Sequence, residues 1–352
     1  MIKRRKTRKI KVGSIYIGAD APISVQSMTK IPTSLQQPLI KQVSSLIKKG
    51  AEIIRIAILD KEDIKTIPIL KKKFSIPLVA DIHFDYRLAF YSIEAGIDKV
   101  RVNPGNIKRN NLKEILNMAK ERKIPIRLGF NSGSIPLKND LLGDLVSFAA
   151  DIIHFCEDNN YFDLIISLKT PFVYATVEAY RNISKICNYP FHLGITEAGS
   201  GYIAVSKSVM GIGLLLNEGI GDTIRVSLTE KPEEEVEWTK SILQSLELRK
   251  FEPEIISCPT CGRCEVPLYN ISKKFRNKII LFSKRYPSIN NLKIALMGCS
   301  VNGPGEAKQA DIGIAGGKKK FILFEKGLVI GTYNSENIEK EFFKRLEKYG
   351  KN

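Results

Sequence analysis

The sequence predicts an α/β protein: a (β/α)8 TIM barrel followed by a smaller α+β domain. Two observations carry that expectation. Eight apolar, β-branched runs recur along the first 250 residues, each followed by a segment of helical periodicity. The alternation then stops at a stretch rich in Pro, Gly and Cys, FEPEIISCPTCGRCEVP at 251–267. A length of 352 residues suits one large barrel with an appendage.

The expected strands are 24–28, 52–57, 78–84, 99–103, 125–131, 164–169, 191–197 and 223–228. The helical segments are 35–49, 62–73, 86–95, 112–123, 143–158, 172–186, 202–217 and 233–248. Gly50, Gly96 and Gly219 fall where helix C-caps belong. Pro232 and the acidic run Glu233, Glu234, Glu235 make a helix start. Near-continuous apolar strands fit a parallel sheet covered on both faces. A doubly wound sheet is the rival, but its glycine-rich phosphate loop is missing after the first strand, where 27–33 reads SMTKIPT. The expected domains are therefore 1–250, a barrel, and 251–352. The second should hold a helix at 268–286, strands at 293–297, 311–315, 321–325 and 328–333, and a closing helix at 336–349.

Charge and cysteine usage narrow the function. There are 55 Lys plus Arg against 37 Asp plus Glu, a formal net charge of +18. Such an excess suits nucleic acid, an anionic membrane, phosphorylated substrates or an acidic protein partner. The basic stretch 1–11 (MIKRRKTRKIK) reads as a solvated edge of the fold; an interaction arm or targeting peptide is the alternative. No apolar stretch approaches the length needed to span a bilayer, so no membrane is expected. Six cysteines are too few for a secreted disulfide scaffold, and their clustering points to metal or redox chemistry in a reducing, cytoplasmic setting.

Cys258, Cys261 and Cys264 form C-x2-C-x2-C, and Cys299 follows in GCSVNGPGE. Thiolates at this spacing converge around a tight turn and hold zinc or an iron–sulfur cluster. A zinc ribbon would offer a second C-x2-C; here one cysteine sits among glycines, with Glu306 seven residues on. Three thiolates and one oxygen ligand suit a four-iron cluster with one exchangeable iron. Four thiolates could instead close a structural site made of cysteines alone. Cys156 and Cys187 read as structural.

Polar residues near strand ends mark the barrel mouth, where this fold places active sites. Asp81 and His83, Arg101 and Asn103, and Arg225 and Ser227 are spaced i, i+2; Arg127 and Asn131 are spaced i, i+4. Each pair shares one strand face. Arg55, Lys169 and Glu197 occupy similar positions. Four Arg and one Lys converging there would hold a phosphate or diphosphate, unless they serve as interstrand ion pairs. His154 and His192 read as structural, the latter facing outward by parity with Glu197.

Many of these residues lie in stretches by which the chain resembles the 4-hydroxy-3-methylbut-2-en-1-yl diphosphate synthase family in its two-domain bacterial form. The stretches are TRKIKVGSIYIG, ISVQSMTKIPT, ADIHF, VRVNPGN, HLGITEAG, SCPTCGR and GCSVNGPGEAKQADIGIAGG. The last two are highly specific, and the match spans nearly the whole chain. The resemblance implies an oxidoreductase of the methylerythritol phosphate isoprenoid pathway. It would reduce 2-C-methyl-D-erythritol 2,4-cyclodiphosphate by two electrons, opening the ring and losing water. The product would be 4-hydroxy-3-methylbut-2-enyl diphosphate, with a [4Fe-4S] cluster fed by reduced flavodoxin or ferredoxin.

By motif, the resemblance makes Cys258, Cys261 and Cys299 the thiolate ligands and Glu306 the fourth, displaceable one. It makes Arg55, Asp81, His83, Arg101, Asn103, Arg127, Asn131, Lys169, Glu197, Arg225 and Ser227 the substrate site. Glu197 is the candidate proton donor, since loss of hydroxyl as water needs an acid. A homodimer, cluster domain over the partner's barrel mouth, is also implied. The family usually has Thr where this chain has Cys264. Two other classes compete. A zinc-stabilised nucleic-acid binder would want aromatics interleaved with its basic runs, which are missing, so no nucleic acid is expected. A barrel hydrolase or synthase with a structural metal domain is the other.

Overall fold

The computed structural model describes every residue except Met1, Phe84, Leu137, Asn139, 300–307, Lys319 and Asn352. The chain divides into two compact units, Met1–Arg249 and Lys250–Asn352.

The first unit opens with a short antiparallel hairpin, β1 (Ile10–Val12) and β2 (Ile15–Ile17). Eight parallel strands follow: β3 (Ser24–Met28), β4 (Ile53–Ala57), β5 (Leu78–Ile82), β6 (Lys99–Val102), β7 (Ile126–Asn131), β8 (Leu164–Lys169), β9 (His192–Leu193) and β10 (Thr223–Ile224). Their order is β8-β7-β6-β5-β4-β3-β10-β9. A parallel bridge from Ile166 to Phe191 joins the two ends, so the sheet nearly closes into the barrel. The main helices between strands are α1 (Gln36–Lys49), α2 (Lys61–Ile64), α3 (Thr66–Lys73), α4 (Arg87–Glu94), α5 (Arg109–Arg122), α6 (Leu141–Asp158), α7 (Val173–Ile186), α8 (Gly201–Asn217) and α9 (Pro232–Ser245).

Local chemistry explains most boundaries. Gly50 ends α1 in the left-handed conformation, φ 101°. The single helix expected at 62–73 is two. Asp60 caps the first through the Glu62 and Asp63 amides. Pro68, intolerant of a helix interior, falls instead in the first turn of α3. The seventh and eighth strands are much shorter than 191–197 and 223–228. After Leu193 the chain must clear a charged side chain: a Cβ at Gly194 would lie 2.6 Å from Lys169 Nζ.

The end of the barrel where strands begin is sealed. Hairpin residues Ile10, Val12 and Ile17 pack on Ile53, Val79 and Ile165, all buried. The basic N-terminal stretch is only in part a solvated edge: Lys3, Lys6, Arg8, Lys9 and Lys11 are exposed, whereas Arg4 and Arg5 turn inward. Arg4 donates to Ala21 O at 2.6 Å and to Asp222 at 2.9 Å. Arg5 donates to Cys187 O and stacks over the Phe191 ring at 4.0 Å. Four basic residues of this stretch, Arg4, Arg5, Arg8 and Lys9, thus hold backbone, carboxylate or aromatic groups.

The second unit is a mixed five-stranded sheet: β11 (Glu254–Ser257), β12 (Lys293–Met297), β13 (Ile312–Gly316), β14 (Phe321–Glu325) and β15 (Leu328–Tyr333). The first three run parallel and the last two are antiparallel. Helices α10 (Leu268–Arg285) and α11 (Ile338–Lys351) place Phe275, Ile279, Phe342 and Leu346 on Ile294, Leu296, Ile312 and Ile314. Strand β11 was not expected, because its short IIS run abuts the cysteine turn.

Candidate functional site

At the barrel's open end, register brings distant cations together. Arg55 on β4, Asp81 on β5 and Arg101 on β6 lie on successive strands, and Arg101 pairs in register with Arg127 on β7. Arg101 Nη1 donates to Asp81 Oδ1 at 3.2 Å, and Arg55 Nε stands 3.7 Å from Oδ2. His83 Nε2 lies 3.3 Å from Asp81 and 3.2 Å from Arg101, so its tautomer decides which neighbour it bonds. Burial alone would raise the Asp81 pKa. Arg55, the His83 hydrogen bond and Arg101 outweigh it and hold the carboxyl well below its usual range.

Arg101 occupies space that only glycine leaves. A Cβ at Gly129 would sit 2.4 Å from Arg101 Nε, and Arg101 Nη2 donates to Gly129 O at 3.3 Å. Lys169 is buried against Gly194 in the same way. Its burial, with Arg127, Arg55, Arg225 and Arg101 nearby, drives its pKa well below the ordinary lysine value. Arg225 pairs with Glu235 of α9 at 3.2 Å. The Met28 thioether accepts from Arg55 at 2.7 Å and from Arg225 at 3.6 Å, bridging two cations.

Five cations, Arg55, Arg101, Arg127, Lys169 and Arg225, thus share two contacting carboxylates, Asp81 and Glu235, among the described residues. Glu235 also accepts from Leu228 N at 3.0 Å and pairs with Lys30 at 2.9 Å. Such an excess of fixed, buried positive charge is a receptor for a multiply charged anion.

Other expected residues stand differently. The Asn103 amide donates to Ser134 Oγ at 3.0 Å and accepts from Gly105 N at 3.2 Å, which shapes the loop after β6. Asn131, the last residue of β7, and Ser227, three residues beyond β10, are half-buried. Glu197 lies four residues beyond β9, exposed, in a left-handed backbone with φ 52°. Non-glycine residues hold that conformation at a cost, as functional loops often do. His192 faces inward, not outward: it is fully buried, with Arg127, Lys169 and Lys99 close enough to suppress its protonation. Parity with Glu197 failed because the strand ends at Leu193; parity with Gly194 gives the observed face. Lys99, wholly buried, was also missed, though it sits two residues before Arg101. Glu235 was hidden within an acidic helix start that is otherwise half-buried or exposed.

In the second unit, Cys258 follows β11 and Cys299 follows β12 after Gly298. These strands are parallel neighbours, Ser257 opposite Leu296, so both loops leave the same sheet edge. Gly298 N donates to Cys258 Sγ at 3.4 Å, and its O accepts from Glu265 N at 2.9 Å. A Cβ at Gly298 would meet Cys264 Sγ at 2.5 Å and Cys258 Sγ at 3.4 Å. Cys264 donates to Val266 O at 3.2 Å, while Cys261 is exposed. All four are free thiols. Among the described residues no three His, Cys, Asp or Glu side chains stand as a ready metal site. The donor chemistry nevertheless fits an iron–sulfur cluster: soft thiolates on two adjacent loops, glycine backbone between them, and an amide N–H aimed at a sulfur. Glu306 lies outside the described residues.

Comparison with known proteins bears on both units. A family model described as the GcpE TIM-barrel domain matches residues 7–240, and one described as the GcpE protein C-terminal domain matches 254–348. The 4-hydroxy-3-methylbut-2-en-1-yl diphosphate synthase (flavodoxin) of Ruminiclostridium cellulolyticum is 48% identical over 352 residues, covering 98% of each chain. The protein of that name from Lawsonia intracellularis is 47% identical, covering 95% of this chain and 93% of its own. Among solved structures, a Stenotrophomonas maltophilia dihydropteroate synthase covers 68% of this chain and 98% of its own, with TM-score 0.53 and 15% identity. That likeness concerns the fold alone. No helix among the described residues is long and apolar enough to cross a membrane.

Proposed function

The chain belongs to the GcpE family of 4-hydroxy-3-methylbut-2-en-1-yl diphosphate synthases, and from that premise we propose that its barrel mouth binds 2-C-methyl-D-erythritol 2,4-cyclodiphosphate for two-electron reductive ring opening. Members of this family are iron–sulfur oxidoreductases, and this chain is one. The observation that carries the substrate assignment is the mouth's charge: five cations, four of them buried and Arg55 nearly so, against two carboxylates.

Each mouth residue has a physical task. Arg55, Arg101, Arg127 and Arg225 present guanidinium groups that match the oxygen geometry of a diphosphate. Asp81 fixes the orientation of Arg55 and Arg101, so little reorganisation is needed on binding. Burial and the neighbouring guanidiniums lower the Lys169 pKa, and entering phosphate charge raises it again, so binding should favour its protonated form and weaken as pH rises. His83, Asn131 and Ser227 line the rim and supply further hydrogen bonds. Asn103 shapes the β6 loop beneath them. Glu197, on its strained loop, delivers the proton with which the departing hydroxyl leaves as water.

Cys258, Cys261 and Cys299, with Glu306 as the displaceable oxygen ligand, would hold a [4Fe-4S] cluster. When bound, that cluster supplies electrons and a Lewis-acidic iron. Cys264 stays outside the ligand set in this reading, its thiol committed to Val266 O. The donor is reduced flavodoxin, as the relatives' names indicate for them. Basic surface helps an acidic donor find the protein, so reduction should slow at higher ionic strength.

The test is anaerobic. Purified protein should be brown, carry iron and sulfide, and convert the cyclodiphosphate to 4-hydroxy-3-methylbut-2-enyl diphosphate with reduced flavodoxin. A cluster-loaded protein that leaves the cyclodiphosphate intact would overturn the proposal. A colourless protein holding one zinc would overturn the cluster assignment.

A further inference from the structure

The mouth is only the upper polar layer of the barrel. Two residues earlier on five of its strands, side chains of the same parity face the axis one step deeper. Met28 leads back to Gln26, Arg101 to Lys99, Gly129 to Arg127, Gly194 to His192 and Arg225 to Thr223. The inward sense of each upper residue is fixed by its contacts. Met28 touches Arg55, Arg101 touches Asp81, Arg101 fills the space at Gly129, Lys169 fills that at Gly194, and Arg225 reaches Met28.

Barrels of this class ordinarily fill the deeper layer with branched apolar side chains. Three strands comply, with Ile53, Val79 and Ile165. The other five do not, and their polar residues are at most 1% exposed. Gln26 Nε2 and Oε1, Lys99 Nζ, Arg127 Nε and Nη1, both His192 ring nitrogens and Thr223 Oγ1 have no hydrogen-bond partner. Each orphaned buried donor costs about 1–3 kcal/mol. Native proteins do not leave a cluster of that size unsatisfied, so these groups are met by something other than protein atoms.

Charge decides its nature. The Arg127 guanidinium cannot release its proton. Lys99 is driven toward the neutral form by burial, then by Arg127 and Arg55; His192 by burial, then by Arg127 and Lys169. Asp81, the carboxylate Arg127 feels, is already committed to Arg55 and Arg101. One permanently charged guanidinium is left, ringed by donors whose protonation burial disfavours, beneath a sealed apolar floor.

We propose that this deeper layer binds a single small inorganic monoanion of halide type on the barrel axis, held by Arg127 with Lys99, Gln26, His192 and Thr223. The anion neutralises Arg127 from below and keeps its guanidinium aimed upward at the mouth. Arg127 serves both layers, so the proposal meets the substrate reading at that one residue; Lys99, Gln26, His192 and Thr223 belong to the deeper layer alone.

Two measurements on the full chain test it. Crystals grown in sodium bromide, recorded at the bromine edge, should show an anomalous peak beside Arg127 and Lys99, below Asp81. In solution at constant ionic strength, replacing gluconate with bromide should raise Tm by about 3 °C. Lys99→Met, checked for native circular dichroism, should lose both the peak and the bromide-dependent rise. Gln26→Leu, which removes a smaller uncharged donor, should weaken them and serves if Lys99→Met does not fold. Bromide confined to the mouth or the surface, an adventitious ion only, would overturn the proposal. So would a wild-type Tm indifferent to bromide, or variants that keep the wild-type dependence.

Discussion

The barrel mouth and the cysteine turn are both polar sites at strand ends, yet they are built differently. The mouth is finished by folding. Arg101, Asp81 and Arg127 are at most 4% exposed, and glycines 129 and 194 clear the room their neighbours fill. The cysteine turn is held more loosely: Cys258 and Cys264 both approach Gly298, Cys261 is exposed, and no three such donors group together among the described residues. The difference follows from what supplies the organising energy. Buried charges need fixed partners before any ligand arrives, whereas thiolates are gathered by the metal itself, whose binding energy orders its own loops.

The comparison can be broken most directly at the cysteines. Cys299→Ala should lower anaerobic iron and sulfide content and drop turnover to background, with the circular dichroism of the barrel unchanged. Iron retained at the wild-type level would show that the turn does not depend on this thiol. At the mouth the counterpart is Gly129→Ala. Its methyl group displaces Arg101, and kcat/KM should fall by about 10²-fold with iron content intact. An unchanged kcat/KM would mean that Arg101 placement is not preorganised.

A smaller effect reads the electrostatics of the barrel interior through stability. His192 is held neutral when folded, its pKa well below 6.5. Below about pH 6.5 the unfolded chain binds a proton that the native chain refuses, so stability falls as pH drops, by up to about 1.4 kcal/mol per pH unit. His192→Gln should flatten that limb of the stability–pH curve; denaturant unfolding between pH 5 and 7 is the measurement. The smallest change is expected at Cys264→Thr. A threonine hydroxyl can donate to Val266 O as the thiol does, so iron content and turnover should both be kept. Loss of iron would make Cys264 a ligand.

Much of this was legible from residues alone because the signals are local. Apolar runs alternating with helical periodicity gave the eight strands, and i, i+2 spacing on single strands gave Asp81 with His83 and Arg101 with Asn103. Cysteine spacing marked the turn. Where the reading failed, the cause was non-local. His192 was assigned the wrong face because its strand ends at Leu193, where Gly194 yields to Lys169 from a different strand. Glu235 looked like a helix-start acid until α9 docked and brought it to Arg225. The basic N-terminal stretch looked solvated, but Arg4 meets Asp222 across 218 residues of sequence.

The sequence by itself determined the alternation of strand and helix, the cation-rich strand ends and the spacing of the thiols, since each is set by neighbours a few residues apart. Only the tertiary structure decided which carboxylate answers which cation, which glycines make room, and that a second polar layer lies beneath the first. Those outcomes depend on strand register and barrel closure, which bring together side chains more than a hundred residues apart and set their burial, and with it their charge.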